Sequence, residues 1–156
     1  MIISKSFFDT LEPGEESIRT KLIFADKETG LNVWLVDGKA VREQFNEDFI
    51  GGGHHYVYDF VPENDIWLEN TLVKDEIPFF LLHEMHEENK MRSGAEYQKA
   101  HNDASAVELE ARKLPQNVKQ MIREELTKRK TNITEGRMLC KRKQSKQYLP
   151  RNLMIG

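Results

Sequence analysis

Leu81-Leu82-His83-Glu84-Met85-His86-Glu87, followed by Tyr97-Gln98-Lys99-Ala100-His101 and then Glu108, decides how this chain reads. Apolar residues recur here at helical spacing, and histidines and carboxylates fall among them. On a wheel with Ile77 at zero, Phe80, Leu81, Met85 and Met91 gather on one arc, with Glu84 at about 340° in its middle. Glu87 at about 280° and His83 at about 240° border that arc, whereas His86 at about 180° points toward solvent. On the next helix Ala100, Ala104 and Val107 mark the buried face, and His101 and Glu108 share it. An ionised carboxylate on a buried face costs several kcal/mol unless a partner compensates. Two such faces meeting therefore point to a cation between them.

His83-Glu84-x-x-Glu87 has the geometry of the H-E-x-x-H zinc helix, with glutamate replacing the second histidine. In that arrangement residues i and i+4 ligate the metal and the glutamate at i+1 activates a water. The expected metal residues are His83, Glu87, His101 and Glu108, the last as a fourth ligand or as an acceptor orienting His101. Glu84 is the expected general base. Zinc suits two imidazoles and one carboxylate; Glu84, Glu87 and Glu108 read as hard ligands would instead take Mg or Mn. His54 and His55, entering after Gly51-Gly52-Gly53, are accessory candidates as ligand or acid/base. The glycines lack the Lys-Ser/Thr of a phosphate loop.

Working outward, residues 21–25 and 31–36 have strand character, and Asp37-Gly38 reads as a hairpin turn. Val41, Phe45 and Phe49 recur every four residues, so 40–49 fits a short helix. A turn centred on Pro13-Gly14, a strand over 55–61 stopped by Pro62, and a strand over 65–69 complete the N-terminal half. A helix is expected over about 76–92, capped by Asp75. Ser93 and Glu96 have capping-box spacing and open a second helix to about 113. Pro115 opens a third, with Val118, Met121, Ile122 and Leu126 as its stripe. The fold class expected is α+β: a small antiparallel or mixed N-terminal sheet packed on two or three C-terminal helices, zincin-like. Residues 1–130 form one domain, and 131–156 a polar, basic and partly disordered tail.

At 156 residues, 38% hydrophobic and 31% charged, the chain is large enough for one substantial core. It has no apolar run of the ~18 residues a membrane span needs. The start lacks a secretory pattern, and Cys140 is the single cysteine, so the expected location is cytoplasmic. Cys140 has no partner His or second Cys for redox or nucleophilic work. Charge is segregated: residues 1–111 carry 10 Lys/Arg against 23 Asp/Glu, and residues 112–156 carry 13 against 3. The cluster Lys141, Arg142, Lys143 and Lys146 therefore suits nucleic-acid phosphates, or the acidic body itself.

Asp37-Gly38, Val41-Arg42, Phe49, Gly52-Gly53-His54, Tyr58, residues 62–68, His83-Glu84, Glu87, Met91, Gly94, Tyr97, Ala100-His101 and Glu108 together resemble a group of small bacterial and phage proteins. That group has a zincin-like H-E-x-x-E helix followed by a Y-x-x-A-H helix and no settled activity. The resemblance covers roughly residues 32–112 and implies that Glu87 belongs to the motif. The leading expectation is a zinc-dependent hydrolase acting on a peptide or small amide. The alternatives are a Mg- or Mn-dependent phosphoester or nucleotide hydrolase, and a non-enzymatic phage-type accessory protein docking through its basic tail.

Overall fold

The structure, a computed structural model, describes residues 18–147 and the side chains of 18–138. The Pro13-Gly14 turn therefore lies outside the described residues, as do the side chains of Cys140 and of Lys141, Arg142, Lys143 and Lys146. Four strands form a mixed sheet: β1 (Arg19–Ala25), β2 (Asn32–Val36), β3 (Gly52–His54) and β4 (Asp65–Glu69), in the order β1-β2-β4-β3. β1 and β2 are antiparallel, β2 and β4 parallel, and β3 and β4 antiparallel. Four helices follow or intervene: α1 (Gly38–Gln44), α2 (Ile77–Arg92), α3 (Tyr97–Lys113) and α4 (Val118–Gln147). The class is α+β, and no described helix is long and apolar enough to cross a membrane.

β4 is central, and all five of its residues are buried. Its alternation divides the core. Ile66 and Leu68 face Val33, Leu81 and Met85 beneath α2, while Trp67 joins Ile18, Val36, Val41 and Phe49 on the other face. The polar ends of the strand are neutralised in place. Asp65 pairs with Arg19 at 3.2 Å, and Glu69 takes Arg42 at 2.9 Å and the Gly51 N–H at 3.1 Å.

Asp37-Gly38 makes no hairpin. The Asp37 carboxylate accepts from the Ala40 N–H at 3.1 Å and caps α1, whose apolar Val41 is buried, so the chain leaves the sheet. The expected strand over 55–61 is also absent: the His54 carbonyl accepts from both Val57 and Tyr58 N–H groups, closing a turn where strand pairing would have continued. The paired strand is Gly52–His54 instead. Gly51 adopts φ +75, and a Cβ on Gly52 would stand 2.9 Å from the Trp67 carbonyl and 3.3 Å from Glu84 Cγ. The missing side chain there lets α2 approach the sheet and brings Glu84 against it.

α2 is buried nearly all round, which a single wheel does not foresee. His86 is 7% exposed because α4 covers the face assigned to solvent, its Glu125 meeting His86 Nδ1 at 2.7 Å. Asn89 donates to the same Glu125 at 2.9 Å. Burial opposes ionisation of Glu125, but the His86 and Asn89 hydrogen bonds overcome it and hold the carboxyl down at about 2. Neither expected cap forms: α2 begins after Glu76 and α3 after Glu96, each without a side-chain cap, and Ser93 Oγ donates to the Asn89 carbonyl. α4 continues as helix to Gln147, past residue 131 where the composition suggests disorder.

Candidate metal centre

α2 and α3 pack through small residues, Ala100, Ala104 and Ala111, all without solvent exposure. The turn between them uses Gly94 at φ +99. This close approach sets His101 of α3 beside His83 and Glu87, which lie one turn apart on α2. His83 Nε2 stands 3.3 Å from Glu87 Oε2 and 3.3 Å from His101 Nδ1, and His101 Nδ1 stands 2.8 Å from Glu87 Oε2. A tetrahedral shell with bonds of about 2.0–2.2 Å has edges of roughly 3.3–3.6 Å. Two of the three spacings fit that edge, and the third is a hydrogen bond of 2.8 Å that would have to lengthen for an ion to be held by all three groups.

Behind His83 stands Glu108. Its Oε2 lies 3.0 Å from His83 Nδ1, and its Oε1 accepts from Arg112 Nε at 3.0 Å. Burial lowers the His83 imidazole, but the Glu87 hydrogen bond and the charges of Glu84, Glu87 and Glu108 outweigh it and raise it, so without an ion Nε2 donates to Glu87. Glu108, accepting at Nδ1, can keep that proton when Nε2 gives its own up to a cation. Arg112 is fixed in turn by Glu76 at 2.7 Å and by the Phe79 ring. Glu108 is thus placed as an acceptor for His83, one position away from the expected contact with His101. Replacing Glu108 with Ala is expected to weaken divalent-metal affinity about 10- to 100-fold in a competitive chelator titration, with the fold intact.

His54 reaches the cluster from β3. It is fully buried, with Nε2 at 2.9 Å from Glu87 Oε1 and 4.0 Å from Glu84 Oε2. Glu87 therefore receives His54 on one oxygen and His83 and His101 on the other. Burial alone would raise its carboxyl, but the hydrogen bonds of the three imidazoles hold it well below the usual carboxylate range. Glu84 differs. It is 8% exposed, makes no hydrogen bond among the described residues, and burial pushes its carboxyl up to about 7 against the pull of His54.

Two groups could hold a metal ion, His83-Glu87-His101 and His54-Glu84-Glu87. They are not equivalent. His83 Nδ1 has an acceptor, whereas His54 Nδ1 is buried with no hydrogen-bond partner. The lower-cost tautomer puts the His54 proton on Nε2, where it is donated to Glu87, and leaves Nδ1 a bare lone pair. His54 is thus a support for Glu87 before it is a ligand. His55 points elsewhere, toward Glu88 at 3.8 Å, and belongs to neither group. His86 faces α4.

A cleft of about 190 Å³ opens on the cluster, bounded by Asp48, Ile50, Tyr58, Glu84 and Tyr97 among others, and none of its lining residues is Lys or Arg. Tyr97 lies one turn before His101 on α3, ring centroids 5.5 Å apart, and Tyr58 donates to the Asp48 carbonyl at 3.3 Å. These wall residues carry no signal in the wheel; only the turn after His54 brings Tyr58 and Asp48 within reach. A larger cleft of about 710 Å³ between the β1–β2 turn and α4 contains none of the clustered groups. Compared with protein-family models, curated proteins and solved structures, the chain gives no match.

Proposed function

We propose that the protein is a zinc-dependent hydrolase acting on a peptide or related amide. The observation that carries this reading is the convergence of His83 Nε2, Glu87 Oε2 and His101 Nδ1 beside a buried Glu84 carboxyl that has no hydrogen bond to occupy it. Two imidazole nitrogens and one carboxylate favour zinc over magnesium, which prefers an all-oxygen octahedron. A zinc-type cation, when bound, polarises a carbonyl and makes a water easier to ionise near neutral pH. Glu84 takes up the proton released and passes it to the leaving amine. Its position near pH 7 suits both steps, and a cation nearby lowers it toward the ionised form that begins the cycle.

The cleft argues for a neutral reacting group. Asp48 and Glu84 line it without a Lys or Arg to receive a phosphoryl anion, so a phosphoester substrate lacks the cations that usually neutralise it. Tyr97 and the exposed Ile50 offer apolar walls beside the ligands.

The test is to incubate the zinc-loaded protein with a degenerate peptide library and follow cleavage by mass spectrometry, with bis-p-nitrophenyl phosphate plus Mg or Mn in parallel. Peptide cleavage is expected, reduced about 10²- to 10⁴-fold in Glu84→Gln with zinc content unchanged. Phosphoester turnover without peptide cleavage, or cleavage indifferent to Glu84, contradicts the proposal.

A further inference from the structure

Glu87 presents its two oxygens to two different sets of groups. Oε2 meets His83 and His101; Oε1 meets His54, with Glu84 on the far side. Glu84 and Glu87 lie three residues apart on α2, so their carboxylates leave the helix on one face. His54 Nε2, at 2.9 Å from Glu87 Oε1 and 4.0 Å from Glu84 Oε2, completes a buried three-atom concavity. The Glu84 carboxylate enters it without a hydrogen bond among the described residues, at 8% exposure. Glu84 and Glu87 both line the cleft, so a cation can reach these carboxylates from solvent.

We infer that this concavity is a second, weaker divalent-cation site, which shares Glu87 with the first and takes Glu84 as a ligand when metal is in excess. The inference rests on the proposed metal centre and adds a regulatory consequence to it. Glu84 cannot ligate one ion and accept a proton for the other, so the second ion inhibits. Coordination by His54 Nε2 requires its proton to move to Nδ1, which has no acceptor. His83 meets no such penalty, because Glu108 already receives its Nδ1 proton. Loss of an acceptor behind a ligating histidine costs about 10- to 100-fold in affinity, and the second site is weaker by that order.

The test is calorimetric titration of the metal-free protein with Zn²⁺, alongside Glu84→Gln and His54→Ala. Two equivalents are expected for the unmodified chain, the second about 10- to 100-fold weaker. Glu84→Gln, nearly isosteric, should keep the tight equivalent and lose the weak one. His54→Ala should do the same with a modest weakening of the first. One equivalent in the unmodified chain, or a weak equivalent that survives both substitutions, overturns the second site and leaves the first standing. No equivalent at all overturns both.

Discussion

Replacing Glu84 with Gln is expected to stabilise the metal-free protein by about 3 kcal/mol above pH ~7 and to leave it unchanged below pH ~4.5. Burial raises the folded carboxyl from 4.5 to about 7. Between those values the unfolded chain releases its proton and the folded chain keeps it. Stability of the unmodified protein therefore falls as pH rises through that window, then levels off once both states are ionised. Glutamine has nothing to titrate and escapes the loss. For a chain of this size the gain raises the melting temperature by roughly 2–4 °C per kcal/mol. Thermal melts in EDTA across pH ~4–8 check this. A difference independent of pH, or a less stable variant at pH ~8, contradicts the reading of Glu84 as a strained group kept for chemistry. The same substitution is expected to cut the proposed activity about 10²- to 10⁴-fold, so stability and function move in opposite directions at one side chain.

Glu88→Ala is expected to destabilise the protein by about 3–5 kcal/mol, because it leaves a buried charge uncompensated. Arg129 of α4 is 1% exposed and donates to Glu88; its other bond, to Asn64 Oδ1, is long at 3.4 Å, and its Nε has no partner. Arg92 shares the Glu88 carboxylate at 2.6 Å and would also be released. Replacing both members of the buried pair, as in Glu88→Leu with Arg129→Met, should recover most of the loss, since two apolar groups need no partner. Urea unfolding of the single and double variants decides it. A single variant within about 1 kcal/mol of the unmodified chain would show the network to be solvated. The network matters to the metal centre because it anchors α4 on the face of α2 opposite the cleft, next to Glu87.

How far the residues alone foretell this structure depends on which neighbours each element has. β4, α3 and the first turns of α4 can be read from the residues because a short apolar run or an apolar stripe says the same thing in any surroundings, and α2 from its length and its bounding residues. The continuation of α4 past residue 131 cannot, because its composition is polar and basic. His83, Glu84, Glu87 and His101 were legible too: two adjacent helices with titratable groups on apolar faces bring them together at short range. His86 was not, because its burial depends on Glu125, 39 residues later, and a wheel of α2 contains no α4. Asp37-Gly38 carries both hairpin and cap chemistry, and the apolar Val41 that packs α1 on the sheet decides between them. The tract 55–61 alternates like a strand, yet His54 closes a turn that ends pairing. That turn also delivers Tyr58 to the cleft. Helix periodicity puts Glu108 on the face it shares with His101, but its pairing with His83 depends on side-chain placement that periodicity does not specify.

The most direct measurement is elemental analysis of the purified protein after dialysis against metal-free buffer, beside a His83→Ala variant folded to the same extent by circular dichroism. One tightly held zinc per chain is predicted for the unmodified protein, and less than about a tenth of that for the variant, since the loss of one of three ligands removes most of the affinity. A protein without metal, or a variant that retains the same zinc content, would contradict the centre built on His83, Glu87 and His101.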